Sequence, residues 1–394
     1  MTDPLTRGRL RYKQHGVAVD LEVAHGLFSA TAIDPGTRLL LRWLGPGVDL
    51  GGTRVLDLGC GYGPLAVWLA AAGAGAVEAV DRDAVAVEWT ARNAVANDVG
   101  HRVVTRASLG YDDVAGGPYD LVVSNIPAKV GPAALEHLLL DAAPRLAPGG
   151  RVAVVVVTGL ATAVRALLTA HPGIHVDAEH ANRGYLHVAF GFGEATVGDR
   201  RPGFERGVYG RHHGAFAAGG LHWEAATART LGEFDTLGHG TVAAVELLAR
   251  HPPAGPVAVL GAGQGHVALA LSLLGTARID LVDRDLLALR VAAANLESSS
   301  PDTTVRLDHR SHPAVADGTP TVVAALPEKQ PVAVTAALLG PVLARLEPSA
   351  TTILHGRSAD VGRVAELLGR HGARTASVDR VRRHAHVAVC LRRR

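Results

Sequence analysis

Val55-Leu56-Asp57-Leu58-Gly59-Cys60-Gly61-Tyr62-Gly63, followed by Ala79-Val80-Asp81-Arg82-Asp83, decides the fold of this chain. A short β-branched and leucine run that breaks at glycine reads as a buried strand, and residues 65–72 continue as strong helix formers. Residues 77–80 return as a second strand. The same stretch is then written again as Val257-Ala258-Val259-Leu260-Gly261-Ala262-Gly263-Gln264-Gly265, followed by Leu281-Val282-Asp283-Arg284-Asp285. Gly59, Gly61, Gly63, Asp81, Arg82, Asp83 and Asn93 recur at one constant offset as Gly261, Gly263, Gly265, Asp283, Arg284, Asp285 and Asn295. A register kept over that distance marks two copies of one supersecondary unit. The copies differ in their polar residues: Asp57 becomes Val259, and Ser124-Asn125-Ile126-Pro127 becomes Ala324-Ala325-Leu326-Pro327.

Working outward, residues 84–97 read as a helix and 102–105 and 121–124 as the third and fourth strands. Residues 133–146 read as a helix, 151–157 as a fifth strand after Pro148-Gly149-Gly150, and 187–190 as a last strand. The second copy repeats the plan at 257–260, 279–282, 305–307, 322–325, 351–354 and 387–391. Such alternation predicts an α/β fold: mostly parallel, twisted sheets joined by right-handed crossovers, with helices on both faces. The glycine- and arginine-rich stretch 193–211 reads as the linker, dividing the chain into domains 1–195 and 196–394. Gly26-Leu27-Phe28 with Gly36-Thr37 is echoed by Gly232-Glu233-Phe234 with Gly240-Thr241, so each copy carries an extension before its first core strand.

The bulk numbers set bounds. The chain has 394 residues, 48% apolar and 19% charged, enough for two globular domains. A net charge of +2 argues against function by bulk basicity alone. Its basic residues are almost all arginine, with lysine only at Lys13, Lys129 and Lys329. A GC-rich genome explains that bias more cheaply than phosphate recognition does. Two cysteines, Cys60 and Cys390, build neither a disulfide framework nor a metal site. Residues 1–7 lack the apolar core of a signal peptide, and the apolar run 152–157 is far too short to span a membrane. A cytoplasmic protein without membrane or metal is therefore expected.

Glycines at a strand-to-helix turn let a ligand approach closer than any Cβ would permit. Here they form G-x-G-x-G, with Pro64 where a dinucleotide pattern would continue. Asp57 before them would repel a pyrophosphate yet suit an ammonium or sulfonium ligand. Asp81 ends the second strand, where it would accept from ribose hydroxyls. Ligands of such sheets lie at the carboxyl ends of the strands, so Asp57, Asp81 and Asn125 are expected to converge on one crevice.

Residues 26–157 resemble the class I S-adenosylmethionine-dependent methyltransferases. The closer resemblance is to the small-domain group that includes ribosomal RNA guanine-N2 methyltransferases, whose fourth strand ends in Asn-Pro-Pro. The shared features are Gly26-Leu27-Phe28, Asp34-Pro35-Gly36-Thr37, residues 55–63, Asp81, Ser124 to Pro127, and Leu146-Ala147-Pro148-Gly149-Gly150. The resemblance implies two tandem Rossmann-like domains; tandem relatives have a degenerate N-terminal copy, whereas here Val259 and Ala325 mark the second copy as the degenerate one and the first as active. It implies S-adenosyl-L-methionine held by Thr37, Asp57, Gly59, Cys60, Gly61, Gly63, Asp81, Arg82 and Ser108. Asn125, Ile126 and Pro127 become the catalytic residues, with Phe28, Ala128 and Lys129 facing the substrate.

That motif suits an exocyclic amine, whose delocalised lone pair makes it a poor nucleophile. Asn125 Oδ1 and the Ile126 carbonyl would each accept one N–H and aim the lone pair. The departure is Ala128, where base-modifying relatives place an aromatic ring. Lys129 recurs as Lys329 in the degenerate copy, which argues against catalysis by it.

Three readings follow. The first is methylation of guanine N2 in structured ribosomal RNA, as housekeeping or antibiotic self-protection. The second is methylation of a small molecule or peptide, and the third a non-catalytic RNA-binding scaffold. The histidines His212, His213, His222, His384 and His386 read as solvated or substrate-contacting residues. The run Arg380, Arg382, Arg383, Arg392, Arg393 and Arg394 fits a solvated edge strand and a phosphate contact equally.

Overall fold

The computed structural model describes residues 3–45, 48–193 and 198–393. The chain forms two compact units, Thr6–Tyr209 and Gly210–Arg394, the latter joined by Met1–Leu5. The boundary expected at 195/196 lies outside the described residues. The division falls later because residues 198–209 are bonded to the first unit. Gly203 N and Phe204 N donate to Asp112, Asp199 N donates to Asp141, and Tyr209 donates through its hydroxyl to Leu109 O.

The first unit opens with an antiparallel hairpin, β1 (Thr6–Gln14) and β2 (Val17–Ala24). Then follow α1 (Pro35–Trp43), β3 (Arg54–Leu58), α2 (Pro64–Ala71), β4 (Ala76–Asp81), α3 (Ala84–Ala96) and β5 (Val103–Ala107). Next come β6 (Tyr119–Asn125), α4 (Pro132–Leu140), β7 (Leu146–Val157), α5 (Ala161–Ala170), β8 (Ile174–Ala181) and β9 (Tyr185–Phe192). The seven-stranded sheet runs β5-β4-β3-β6-β7-β9-β8. Its first five strands are parallel, and β9 and β8 complete it antiparallel. Alternate strand residues such as Leu56, Val122 and Val154 pack with Leu135 and Leu139 of α4 and Val164 of α5. The other face carries α1, α2 and α3, as the twofold side-chain alternation of a strand requires.

The second unit repeats this order. Its hairpin is β10 (Gly210–Ala218) and β11 (Leu221–Ala228). The α/β part is α6 (His239–Arg250), β12 (Val257–Leu260), α7 (His266–Leu273), β13 (Arg278–Asp283), α8 (Leu286–Ser299) and β14 (Thr304–His309). It continues as β15 (Thr321–Ala325), α9 (Val332–Ala344), β16 (Thr351–Arg357), α10 (Ser358–Leu368), β17 (Thr375–Arg383) and β18 (His386–Arg393). The sheet order β14-β13-β12-β15-β16-β18-β17 is that of the first unit.

Several repeated residues are explained by architecture. Asp83 and Asp285 cap α3 and α8, each accepting the N–H two residues on at 3.0 Å. Asn93 binds Glu22 N, Glu22 O and Tyr62 O, tying hairpin, glycine loop and α3 together. Asn295 does the same with Ala226 and Gln264 O. Such buried amides, fully satisfied, fix one packing and exclude others.

The structure corrects some element boundaries. The helix expected over 133–146 stops at Leu140, with Asp141 as its C-cap, and Leu146 already pairs with Tyr119 as the start of β7. His212 and His213 lie in β10 rather than in a linker, and His222 lies in β11. His384 and His386 flank the His239 ring. The arginine run belongs to β17 and β18, where Arg383 pairs with Glu246; Arg394 lies outside the described residues.

Candidate functional site

β3, β4 and β6 end side by side, and sheet order reverses between β3 and β6, the position where open α/β sheets form their ligand crevice. The chain leaves β3 through Gly59, Gly61 and Gly63, with φ of +77°, +58° and +87°. A Cβ at Gly59 or Gly61 would meet no atom within 4 Å, so the loop presents bare backbone to open space. At Gly63 a Cβ would come within 3.0 Å of Thr90, so glycine also permits close packing of loop on helix. The loop is pinned by Gly59 N and Cys60 N donating to Val80 O, and by Gly61 N donating to Asp81 Oδ2 at 3.0 Å.

Asp57 is wholly buried, whereas Asp81 and Asn125 are part-exposed. Asp81 and Asn125 thus stand part-exposed at the ends of β4 and β6, while Asp57 is closed off within β3. Asp57 Oδ2 accepts Ala66 N in the first turn of α2, and Oδ1 has no hydrogen-bond partner. Burial pushes this carboxyl up to about 7, partly offset by the Ala66 N–H and reinforced by the charge of Asp81. An orphaned carboxylate oxygen under a bare-backbone loop fits a cationic ligand above it.

The end of β6 is held from both sides. Ser124 donates to Leu58 O at 2.8 Å, and Ile126 N donates to Val155 O at 2.9 Å. Between them, Asn125 Nδ2 donates to Asp34 Oδ2 at 2.9 Å and to Thr37 Oγ1 at 3.0 Å. Asp34 is the N-cap of α1, accepting Gly36 N and Thr37 N, and Tyr185 donates its hydroxyl to Asp34 Oδ1. With both amide protons directed at these acceptors, Asn125 Oδ1 is left to accept from a ligand.

The remaining expected site residues divide. Thr37 is buried and engaged with Asn125, so its hydroxyl orients that amide rather than standing free toward a cofactor. Cys60 is buried, with Thr90 at 3.4 Å from Sγ, and burial raises its thiol well above the usual range. Ser108 is buried, bonded to Gly110 O and Asp113 N, which makes it a turn-forming hydroxyl. Arg82 is half-buried beside Asp81; Ile126 is buried, and Pro127, Ala128 and Lys129 are exposed. Phe28 is 73% exposed in the loop after β2, whose Ser29 carbonyl accepts from Tyr62. The site residues that sequence reasoning left without a role are Asp34 and Tyr185. Asp34 stood in a quoted motif, but its partner Asn125 is distant in sequence.

In the second unit Gly261, Gly263 and Gly265 keep φ of +90°, +54° and +89°. Asp283 still accepts Ala262 N and Asp285 N. Val259 and Ala325 replace the carboxylate and the amide, and Leu326 N donates to His355 O as Ile126 N does to Val155 O.

Comparison with known proteins agrees with this geometry. The family model of the methyltransferase small domain matches residues 18–179. Ribosomal RNA small subunit methyltransferase C of Chromohalobacter salexigens is 44% identical over 142 residues, covering 34% of this chain and 41% of that protein. Ribosomal protein L11 methyltransferase of Alkalilimnicola ehrlichii is 40% identical over 137 residues, covering 34% and 44%. The matched stretch thus spans under half of these curated relatives. Among solved structures, the T. thermophilus 16S rRNA N2 G1207 methyltransferase, in complex with AdoMet and guanosine, superposes with a TM-score of 0.69. It is 19% identical and covers 100% of both chains, so the two-domain fold is shared. The methyltransferase small-domain model thus matches the first copy in a chain whose two seven-stranded sheets share one strand order.

Proposed function

We propose that the first unit binds S-adenosylmethionine and methylates an exocyclic amine, the N2 of a guanine in ribosomal RNA. The observation that carries this reading is the fixed amide of Asn125, whose Nδ2 is held by Asp34 and Thr37 while Oδ1 stays available. The cofactor supplies an activated methyl group on sulfur. Gly59, Gly61 and Asp81 would hold it, and the orphaned Asp57 Oδ1 would supply negative charge toward its cationic group. Asn125 Oδ1 and the Ile126 carbonyl would accept the two N–H of the amine, drawing its lone pair out of conjugation and aiming it for transfer. Water would take up the one proton that the amine gives up on methylation.

Similarity to an rRNA methyltransferase by sequence, and to a guanosine-bound one by fold, supports the RNA substrate. The second unit, lacking the carboxylate and the amide, serves to shape or bind that substrate. Among the described residues no helix is long and apolar enough to cross a membrane; a cytoplasmic site of action follows from the proposed ribosomal RNA substrate. A peptide or small-molecule substrate is the second reading, favoured by exposed Ala128 where a stacking ring would stand. Tritiated-methyl transfer to small ribosomal subunits, naked rRNA, ribosomal proteins and a metabolite extract decides between them. Label in rRNA at guanine N2 is expected. Label confined to protein or metabolites would displace the RNA reading, and no cofactor binding in calorimetry would end the enzymatic one.

A further inference from the structure

We propose that the second unit holds a binding site of its own for a neutral purine nucleoside, a reading that does not depend on the activity of the first unit. A cavity of about 350 Å³ lies at the carboxyl ends of β12, β13 and β15. Sheet order reverses between β12 and β15, so the cavity occupies the switch point of this sheet, and its size falls in the small-molecule range of about 300–1,000 Å³.

Its walls are mostly aliphatic: Leu260, Val282, Ala324, Leu326 and Leu339. They form an apolar slot suited to a flat base. At one rim stands Asp283, part-exposed at the end of β13. Its oxygens accept Ala262 N and Asp285 N, with the Gly263 and Arg284 N–H groups also turned to it, and its exposed edge can share bonds with the vicinal hydroxyls of a ribose. Gly263 lines the cavity, and a Cβ there would meet nothing within 4 Å, so backbone faces the space directly.

The side chains that changed between the copies became smaller here. Asn125 corresponds to Ala325 and Cys60 to Ala262, and the space was not refilled although unfilled volume costs stability. Leu5 completes the wall from the N-terminal segment, fully buried, with Asp3 bonded to His312 at 3.0 Å. Val259 stands where Asp57 stands in the first unit, so that position offers no carboxylate to an ammonium or sulfonium group. The chemistry selects a nucleoside without a cationic tail.

Equilibrium dialysis of the full chain carrying Asp81→Ala, which disables the first site, tests this with radiolabelled adenosine. One adenosine per chain is expected, and 2′,3′-dideoxyadenosine should bind about tenfold more weakly through loss of the contacts to Asp283. Gln330→Trp at the rim, or Ala325→Phe at the floor, should weaken adenosine binding by about tenfold or more by filling the cavity. Circular dichroism identifies a variant that fails to fold, and the other filling substitution then serves. Absence of adenosine binding to the Asp81→Ala chain, or binding untouched by a folded filling variant, overturns the proposal. Tighter binding of S-adenosylmethionine than of adenosine to that chain overturns the assignment of a neutral ligand. Failure of methyl transfer alone would leave this site standing, because the dialysis reads binding in the second unit.

Discussion

Asn125 and Asp34 meet at 2.9 Å, amide nitrogen to carboxylate oxygen, so the cap of α1 sets the orientation of the residue that ends β6. A carboxylate only accepts, so the NH2 end of Asn125 must face it. Asn125→Ala should lower kcat by about 10²–10³-fold, the range for removing one preorganised polar group from a reacting centre, while S-adenosylmethionine affinity is kept. Asp34→Asn keeps an oxygen for the helix cap but lets the Asn125 amide turn. It should lower kcat by about tenfold with KM little changed. Equal loss of cofactor binding in either variant would show that the pair holds the loop rather than the amine.

The buried Asp57 carboxyl makes the first unit sensitive to pH. Burial carries its pKa to about 7, above that of the unfolded chain. Neutral Asp57 therefore contributes stability that is full below about pH 4 and is lost as pH rises through about 7. A cationic ligand favours the ionised form, so S-adenosylmethionine affinity should rise between pH 6 and 8 as stability of the free protein falls. Asp57→Asn should flatten both profiles. Calorimetry in buffers of different ionisation enthalpy should detect proton release on binding near pH 6, and none in the variant.

Much of this was legible from periodicity and spacing. The glycine loops, the acidic strand ends and the repeat register follow from local chemistry that a strand-to-helix turn imposes. Less legible were the hairpins and the antiparallel edge. Ile174 to Ala181 alternates weakly and carries His175, Asp177, Glu179 and His180, because β8 is an edge strand with little to bury. The helix boundary at Leu140 depended on Asp141, whose partners His137, Asp199 and Arg206 come from three parts of the chain. The partnership of Asp34 with Asn125 likewise required the folded sheet. The carboxylate of Asp57 was legible as a residue, but its burial was not, since the loop that covers it is itself glycine.

Phe28 offers the ring that Ala128 lacks. It is 73% exposed in a loop tied to the glycine turn through Ser29 and Tyr62. Stacking on a base is worth about 1–3 kcal/mol. Phe28→Ala should therefore raise KM for RNA by about 5- to 150-fold with cofactor affinity unchanged, and Phe28→Tyr should retain most activity. An unchanged KM in the alanine variant would assign base stacking elsewhere.

Residues 198–209 stay with the first unit through a charged cluster that is nearly dry. His137 Nδ1 lies 2.5 Å from Asp141 Oδ2, Arg206 pairs with the same carboxylate, and the Asp141 side chain is 5% exposed. Burial works to raise the Asp141 pKa, but the His137 hydrogen bond, the Asp199 N–H and the nearby positive charges outweigh it and hold the group ionised. Arg206→Ala would leave that carboxylate with much of its compensation gone, and breaking a buried pair from one side costs about 3–5 kcal/mol. With Arg206 partly exposed, the low end is expected: a loss of about 3 kcal/mol in urea unfolding. Proteolysis should then cut within 198–209 in the variant before it cuts wild type. Arg206→Lys, which keeps the charge but not the planar fork, should fall between the two. Wild-type stability in the alanine variant would mean that the backbone bonds of Asp112 and Asp199 alone hold the segment.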